Sequence, residues 1–255
     1  MPSCWIPGRR KPESDVTLRI FCFPHAGGGS SLYARWRSAF GDDVEVCPVV
    51  LPGREARMHE PRFHRIADVM DPVMDALAPS MNVPFAIFGH SLGAILAFEV
   101  ARRATAAGCP LQLLMVSGRR APHLHVHRTP IHRLDDAAFV AAVERLNGTP
   151  EQVLRDELLR RAFLPSLRAD FELNETYVPL PGRALRCEIV GFMGASDPEV
   201  SESELIAWRE VTSGEFRHHV LAGDHFYLQP CPDELLQLVA THLSRATPAA
   251  RATAR

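Results

Sequence analysis

Short runs of apolar and β-branched residues recur along the chain, separated by polar or glycine-rich segments. Each run is four to six residues long, as expected for strands that are buried on both faces of a sheet. The pattern therefore predicts six strands, at Leu18–Phe23, Val44–Val49, Phe85–Phe88, Leu111–Val116, Cys187–Phe192 and Phe216–Leu221.

Segments with the periodicity of amphipathic helices lie between these runs. Gly108 and Pro110 follow the third such segment and mark its end. Because strand and helix alternate, the sequence predicts an α/β fold with a mostly parallel sheet and helices on both faces. The predicted helices are Ser31–Phe40, Ile66–Ala78, Leu92–Ala107, Glu204–Val211 and Pro232–Leu243.

The alternation breaks once, between Arg119 and Arg183, where helical patterns follow one another without a strand. Asp135 is placed to cap the first of these helices, and Thr149 with Gln152 indicates a capping box at the start of the second. The third is expected from about Pro165 to Tyr177.

A helical insertion at the end of the sheet where ligands bind is typical of a lid. We therefore expect a lid over about 120–182, the alternative being an extra packing layer that does not gate a site. The rest of 16–243 is expected to form one domain with it. Residues 1–15 and 244–255 are polar or rich in Ala, Thr and Arg, and both ends are expected to be disordered.

Composition narrows the classes of function. Of the 255 residues, 46% are hydrophobic and 23% charged, as in a globular protein, and the net charge of −2 gives no basic surface for nucleic acid. No apolar run has the roughly 20 residues of a membrane helix, and no hydrophobic segment of a secretory signal follows the first basic residues. We expect a cytoplasmic protein that binds neither nucleic acid nor membrane.

The strongest chemical signal is Gly89-His90-Ser91-Leu92-Gly93, which follows a predicted strand and opens a predicted helix. In this context GxSxG forms a strained turn that presents the serine hydroxyl for attack. The glycines are explained by the close approach of neighbouring backbone. Ser91 is therefore the candidate nucleophile, and a tight turn without chemistry is the alternative.

A serine hydroxyl needs a base to remove its proton. His225 directly follows the last predicted strand, where this kind of fold places that base, and Asp197 follows the preceding strand. Asp224 is too close in sequence to turn onto its neighbour's ring, and Asp170 lies in the expected lid. The sequence thus predicts a triad of Ser91, His225 and Asp197.

Acyl transfer also needs hydrogen-bond donors for the oxyanion. The backbone N–H of Leu92 is one candidate, and the glycine-rich loop Pro24–Gly29 is expected to supply the other. Three glycines ahead of a helix are also typical of a phosphate loop, but no GK[ST] sequence follows them.

Three further patterns remain open. His123, His125 and His127 alternate as zinc ligands on an extended segment would, but no acidic fourth ligand lies nearby and a solvated loop is the favoured interpretation. An arginine cluster follows Leu51 and suits a phosphate, an acidic partner or a solvated surface. The six cysteines show no CxxC spacing and are expected to be buried free thiols. The arginines are Arg54, Arg57, Arg62 and Arg65, and the cysteines are Cys4, Cys22, Cys47, Cys109, Cys187 and Cys231.

With these motifs in place, the sequence resembles the type II thioesterases that accompany polyketide synthases and nonribosomal peptide synthetases. The matching segments span nearly the whole chain. They are PHAGGG at 24–29, LPGR at 51–54, GHSLGA at 89–94, SGRRAP at 117–122, LPSLRADFELNETY at 164–177, GASD at 194–197 and GDHF at 223–226.

The resemblance implies an α/β-hydrolase fold and hydrolysis of stalled or aberrant acyl groups from the phosphopantetheine arm of acyl or peptidyl carrier proteins. It places Ser91, His225 and Asp197 in the triad, and the N–H groups of Ala26 and Leu92 at the oxyanion. It implies no cofactor of the chain's own, since the phosphopantetheine belongs to the carrier substrate.

Four lid residues are expected to shape the acyl pocket: Phe139, Leu164, Leu167 and Phe171. Three other functions remain open. They are release of medium-chain fatty acyl products, general carboxylester hydrolysis, and carrier binding without catalysis.

Overall fold

The computed structural model describes residues 4–8, 13–124, 129–179 and 182–247. Six parallel strands form one sheet in the order β2-β1-β3-β4-β5-β6. Each corresponds to a predicted strand, with bounds that agree to within two residues. The strands are β1 (Leu18–Phe23), β2 (Val44–Pro48), β3 (Phe85–His90), β4 (Leu111–Ser117), β5 (Glu188–Gly194) and β6 (Phe216–Leu221).

The sheet is buried on both faces, which explains why its central strands are apolar without interruption. In β1, Phe21 and Phe23 point into one hydrophobic core, whereas Ile20 and Cys22 point into a second. Helices α1 (Ile66–Leu77) and α2 (Leu92–Ala106) cover the first face, and α7 (Asp233–Ala246) covers the second. The prediction of helices on both faces is confirmed.

Two predicted helices take a different form. The segment expected as a helix over Ser31–Phe40 consists of two 3₁₀ helices, Ser30–Tyr33 and Arg35–Ser38. The segment expected over Glu204–Val211 divides into α6 (Glu202–Ile206) and a 3₁₀ helix. In the first segment Tyr33 and Trp36 are both fully buried. Tyr33 ends the first of these 3₁₀ helices and Trp36 lies in the second, so both short helices contribute an aromatic ring to the second core.

The insertion between β4 and β5 contains α3 (Asp136–Leu146), α4 (Glu151–Arg155) and α5 (Glu157–Glu175). Asp135 caps α3 as predicted, accepting a hydrogen bond from the Ala138 N–H. The capping box expected at Thr149 and Gln152 is wrong, since the residue before α4 is Pro150 and makes no side-chain cap.

The third helix of the insertion starts eight residues before the expected Pro165. The reason is a second cap, because the Asp156 carboxylate accepts a hydrogen bond from the Leu159 N–H at 2.9 Å and begins α5 there. Pro165 lies inside the helix, and no break occurs at that residue.

The described ends are more ordered than the composition indicated. Trp5 and Ile6, which fall in the stretch 1–15 expected to be disordered, are buried in the first core. Helix α7 continues to Ala246, past the expected limit at residue 243. Among the described residues, none of the helices is long and apolar enough to cross a membrane.

The strand order also locates the site. The chain adds β2 on one side of β1 and then β3 on the other, so the topology reverses between β1 and β3. In open parallel sheets, ligands bind outside the carboxyl ends of the strands at such a reversal. The loop 24–29 and Ser91 follow these two strands.

Candidate active site

Ser91 lies at the junction of β3 and α2, in a strained backbone conformation. Its φ is +56° and its ψ is −116°, outside the regions that residues with a Cβ normally occupy. The Ser91 N–H donates a hydrogen bond of 2.8 Å to the carbonyl of Ser117 at the end of β4. The neighbouring strand therefore holds the turn that carries the hydroxyl.

The two glycines of the motif are required by close backbone contacts. A Cβ at Gly89 would lie 2.1 Å from the carbonyl oxygen of Gly93, and a Cβ at Gly93 would lie 2.1 Å from that of Phe23. No side chain fits at either position, so the sequence needs glycine on both sides of the serine.

The imidazole of His225 links Ser91 to Asp197. Its Nε2 lies 3.1 Å from Ser91 Oγ, and its Nδ1 lies 2.9 and 3.0 Å from the two carboxylate oxygens of Asp197. The Asp197 side chain is inaccessible to solvent, and its Oδ1 also accepts a hydrogen bond from the Glu199 N–H. The structure thus brings the three predicted residues together in the geometry of a nucleophile, a base and an orienting acid.

The other candidate acids and bases are occupied elsewhere. Asp224 accepts a hydrogen bond from the N–H of Phe226, two residues on, and Asp170 forms an ion pair with Arg54. On β6, His218 contacts Glu202, and His219 contacts His242.

Ala26 and Leu92 both line the space in front of Ser91. Ala26 follows β1, and Leu92 is the first residue of α2, so one residue lies on each side of the topological reversal. Within the described ranges, the Ala26 N–H has no hydrogen-bond acceptor. This amide is therefore available to a ligand.

A chamber of about 630 Å³ opens beside Ser91 and His225. Leu167 and Phe171 of α5 line it, together with Val143 and Leu146 of α3. Phe139 and Leu164 do not line it, which corrects two of the four predicted pocket residues. They form a small core between the lid helices, where the Phe139 ring packs edge-on against Phe171 with 5.6 Å between ring centroids.

Two buried histidines lie near the triad, and the sequence motifs predicted no role for either of them. The ring of His90 lies 5.0 Å from that of His225, and the ring of His25 lies 5.8 Å from that of His90. Burial lowers the pKa of His25 to about 4, and the nearby His225 and Arg54 add to the shift. Burial likewise holds the pKa of His90 well below its usual range. Both rings are therefore neutral beside the triad at neutral pH.

His90 also begins a hydrogen-bonded chain behind the nucleophile. Its Nδ1 lies 2.8 Å from Ser117 Oγ, which in turn lies 2.6 Å from the hydroxyl of Tyr227. Both His25 and His90 belong to the sequence motifs, PHAGGG and GHSLGA, so the signal was present. Only their proximity across the fold indicates what they contact.

Two members of the arginine cluster are buried against acidic side chains of the chain itself, so they form neither a solvated surface nor a phosphate site. Arg54 pairs with Asp170, and Arg57 pairs with Glu60 while its guanidinium lies 4.0 Å from the ring centre of Trp5. Arg62 donates a hydrogen bond to Ser166 in α5. Of the four, only Arg65 is exposed.

The remaining hypotheses have mixed outcomes. His125 and His127 lie outside the described residues, and Nε2 of His123 lies 3.2 Å from Oε2 of Glu210. In the part of the chain that the structure describes, no group of three or more His, Cys, Asp or Glu side chains is arranged to hold a metal. All six cysteines are free thiols as predicted, but only Cys22, Cys47 and Cys231 are buried.

Comparison with known proteins agrees with this geometry. A family model described as a thioesterase domain matches residues 18–244. Thioesterase PikA5 of Streptomyces venezuelae is 39% identical over 251 residues, which cover 97% of this chain and 89% of the relative. Gramicidin S biosynthesis protein GrsT of Aneurinibacillus migulanus is 38% identical over 233 residues, 91% of each chain.

Among solved structures, the type II thioesterase BorB from the borrelidin biosynthetic cluster aligns with a TM-score of 0.86 and 39% identity, covering 94% of this chain and 97% of BorB. The resemblance seen in the sequence motifs and the predicted α/β-hydrolase fold are both confirmed. The chain belongs to the thioesterase family and is a serine hydrolase that acts on thioesters.

Proposed function

We propose that the chain is a discrete, trans-acting thioesterase of polyketide or nonribosomal peptide biosynthesis. In this proposal it hydrolyses stalled or aberrant acyl groups from the phosphopantetheine arm of acyl or peptidyl carrier proteins. The observation that carries the proposal is the hydrogen-bonded series from Ser91 through His225 to Asp197, with Ser91 and His225 at the wall of an acyl-sized chamber. The similarity to BorB, from the borrelidin biosynthetic cluster, and to the gramicidin S biosynthesis protein GrsT supports a role in such a pathway.

The proposed reaction begins at Ser91 Oγ. His225 Nε2 takes the hydroxyl proton as the oxygen attacks the thioester carbonyl, and Asp197 stabilises the imidazolium through Nδ1. The N–H groups of Ala26 and Leu92 bind the oxyanion of the tetrahedral intermediate. The carbon–sulfur bond then breaks, the pantetheine thiol leaves with the proton from His225, and the acyl group remains on Ser91.

Deacylation repeats the same steps with water. His225 removes a proton from water, the resulting hydroxide attacks the acyl-serine carbonyl, and the proton returns to Ser91 as the carboxylic acid leaves. In this scheme the chain uses no cofactor of its own, because the phosphopantetheine is part of the carrier substrate. We also propose that the chain works in the cytoplasm.

One part of the chamber wall offers an apolar surface to an acyl group, while charged and polar side chains line the rest. Leu124, Ile131, Leu146 and Phe171 provide apolar surface along one part of the wall. Asn174 and Arg119 also line the chamber, and they are hydrogen-bonded to each other at 2.7 Å. An acyl chain would therefore lie against the apolar wall with its thioester at Ser91.

The proposal is tested by mass spectrometry of a panel of acyl-loaded carrier proteins before and after incubation. We expect the parent protein to remove acetyl and propionyl groups faster than decanoyl groups. We expect Ser91→Ala to leave every carrier loaded, because triad serines are worth several orders of magnitude in turnover. Ser38→Ala, which changes an exposed serine away from the site, is the matched control.

Each contrary result identifies a different error. A rate for Ser91→Ala equal to that of the parent would show that Ser91 is not the nucleophile. Preference for decanoyl carriers would favour release of medium-chain products, and equal rates on simple oxygen esters would favour a general carboxylesterase. A parent protein that binds carriers but neither turns over nor reacts with a fluorophosphonate would be a binding module.

A further inference from the structure

A buried carboxylate in the lid holds the loop that carries Ala26. Asp170 of α5 is 2% exposed, and its Oδ2 accepts a hydrogen bond of 2.7 Å from the N–H of Gly27. Its Oδ1 accepts a hydrogen bond of the same length from Arg54 Nη2, and Arg54 Nη1 donates to the carbonyl of Gly28 at 3.0 Å. Asp170 and Arg54 together therefore bind the loop 24–29 at two consecutive residues.

These contacts restrain both peptide planes that flank the α-carbon of Ala26. The Gly27 N–H shares a planar peptide unit with the Ala26 carbonyl, so Asp170 fixes the plane after Ala26. The Ala26 N–H shares its plane with the His25 carbonyl, which accepts a hydrogen bond of 2.9 Å from the Gly28 N–H. The direction of the unpaired Ala26 N–H thus depends on the bonds made by Gly27 and Gly28.

Helix α5 also packs against this loop. A methyl group at Gly27 would lie 2.7 Å from Phe163 Cζ and 2.8 Å from Leu167 Cδ1, so both side chains are in direct contact with the loop. Leu167 also lines the acyl chamber, as does Phe171, which is adjacent to Asp170. The helix that forms one wall of the chamber therefore also holds the loop beside Ser91.

We infer that Asp170 is a positioning residue that, with Arg54, orients the Ala26 N–H toward the oxyanion of the reaction. The inference rests on the proposed function, in which that N–H is an oxyanion donor. Asp170 does not touch the substrate. It acts through the Gly27 peptide, so the position of the lid helix affects the direction of the Ala26 N–H at the reacting centre.

The test compares binding of two ligands to the parent and to Asp170→Asn. A short-chain alkyl trifluoromethyl ketone adds to the serine and carries an oxyanion, whereas an S-alkyl pantetheine thioether occupies the chamber without one. Removal of an oxyanion donor lowers kcat by about 10²- to 10³-fold, so a misdirected donor should weaken ketone binding by about tenfold or more. Thioether binding should stay within about threefold of the parent value. For thioester hydrolysis, kcat should fall by a larger factor than KM rises.

Glu172→Gln is the matched control, because it makes the same chemical change on the same helix. Glu172 faces His64 near the surface and does not contact the loop. We expect this variant to bind both ligands as the parent does. Equal weakening of both ligands by Asp170→Asn, or no weakening of either, would overturn the inference, since a purely structural carboxylate acts on the whole chamber.

A second variant provides the test if Asp170→Asn does not fold. Asp170→Asn leaves the buried Arg54 charge without its carboxylate, which can unfold the protein by itself. The double variant with Arg54→Met removes both charges and is held to the same two criteria. Neither ligand requires a carrier protein, so failure of this test is distinguishable from failure of the proposed carrier substrate, which would appear in the parent protein.

Discussion

The Asp197 carboxylate contacts Nδ1 of His225 with both oxygens, at 2.9 and 3.0 Å, although 28 positions separate the two residues. Asp224, the neighbour of His225 in sequence, instead accepts a hydrogen bond from the Phe226 N–H. The loop after β5 therefore provides the orienting acid, and the loop after β6 uses its own carboxylate to form the turn that carries the histidine. Asp197 thus orients the imidazole of His225 directly, whereas Asp224 only shapes the turn that carries it.

This difference gives a matched pair of substitutions. Asp197→Asn should lower kcat for thioester hydrolysis by about 10³- to 10⁴-fold, because an amide neither fixes the reactive tautomer of His225 nor stabilises the imidazolium. Asp224→Asn should stay within about threefold of the parent, since an Asn side chain can accept the same turn hydrogen bond. Steady-state kinetics on an acyl-pantetheine thioester measure both. Equal losses in the two variants would contradict the assignment of Asp197.

The sequence was most informative where local geometry allows few residue types. Gly89 and Gly93 are required by backbone contacts of 2.1 Å, and the strained turn they allow places Ser91 at the end of a buried strand. Because parallel strands place their carboxyl ends at one edge, the positions of Asp197 and His225 after later strands were also predictable. The strand bounds followed from runs of residues buried on both faces.

What the sequence did not show depends on contacts between distant segments. Nothing near Arg54 indicates that its partner is Asp170, 116 positions later. Trp5 lies in the stretch that its composition predicts to be disordered, yet it packs against Phe63 and Arg57. The sequence also did not show which side of α5 faces the chamber. Leu164 and Leu167 were both predicted to line it, and only Leu167 does.

The backbone contact at Gly93 should make that position intolerant of any side chain. Gly93→Ala places a Cβ against the Phe23 carbonyl and should cost about 3 kcal/mol or more of unfolding free energy, with loss of activity. Gly108→Ala is the control, because that glycine has a φ of +74° but nothing within 4 Å of the added methyl group. It should cost about 1 kcal/mol from backbone strain alone. Urea unfolding measures both losses, and equal losses of unfolding free energy in the two variants would contradict this account.

Phe171 and Phe139 are in contact but should affect different properties. Phe139 is fully buried between the lid helices, and Phe139→Ala should cost about 3–5 kcal/mol of stability. Phe171 lines the chamber, and Phe171→Ala should enlarge it and raise kcat/KM for decanoyl relative to acetyl thioesters by about tenfold. Chain-length profiles and unfolding curves for both variants separate the two effects. A profile that shifts only in Phe139→Ala would contradict the assignment of the chamber wall.

His25 should make the folded protein less stable in acid. Burial lowers its pKa from 6.5 to about 4 in the folded state, so between these values the unfolded chain binds a proton that the folded chain does not. The stabilising contribution is therefore complete above about pH 6.5 and is lost as the pH falls toward 4. The shift corresponds to roughly 3 kcal/mol.

His25→Gln isolates this contribution, because glutamine does not bind the proton. The unfolding free energy of the parent should fall by roughly 3 kcal/mol more between pH 7 and pH 4 than that of His25→Gln, as measured by urea unfolding at each pH. Carboxylates far from His25 also titrate with unfolding, but they contribute to both proteins and cancel in the difference. The ring of His90 lies 5.8 Å from that of His25 and its pKa is lowered in part by His25, so the difference includes the coupling of the two rings. His59→Gln, at an exposed position, should follow the parent curve. If the unfolding free energies of the parent and His25→Gln changed equally with pH, the His25 ring would bind its proton as readily in the folded state as in the unfolded chain. That result would contradict a neutral His25 beside His225.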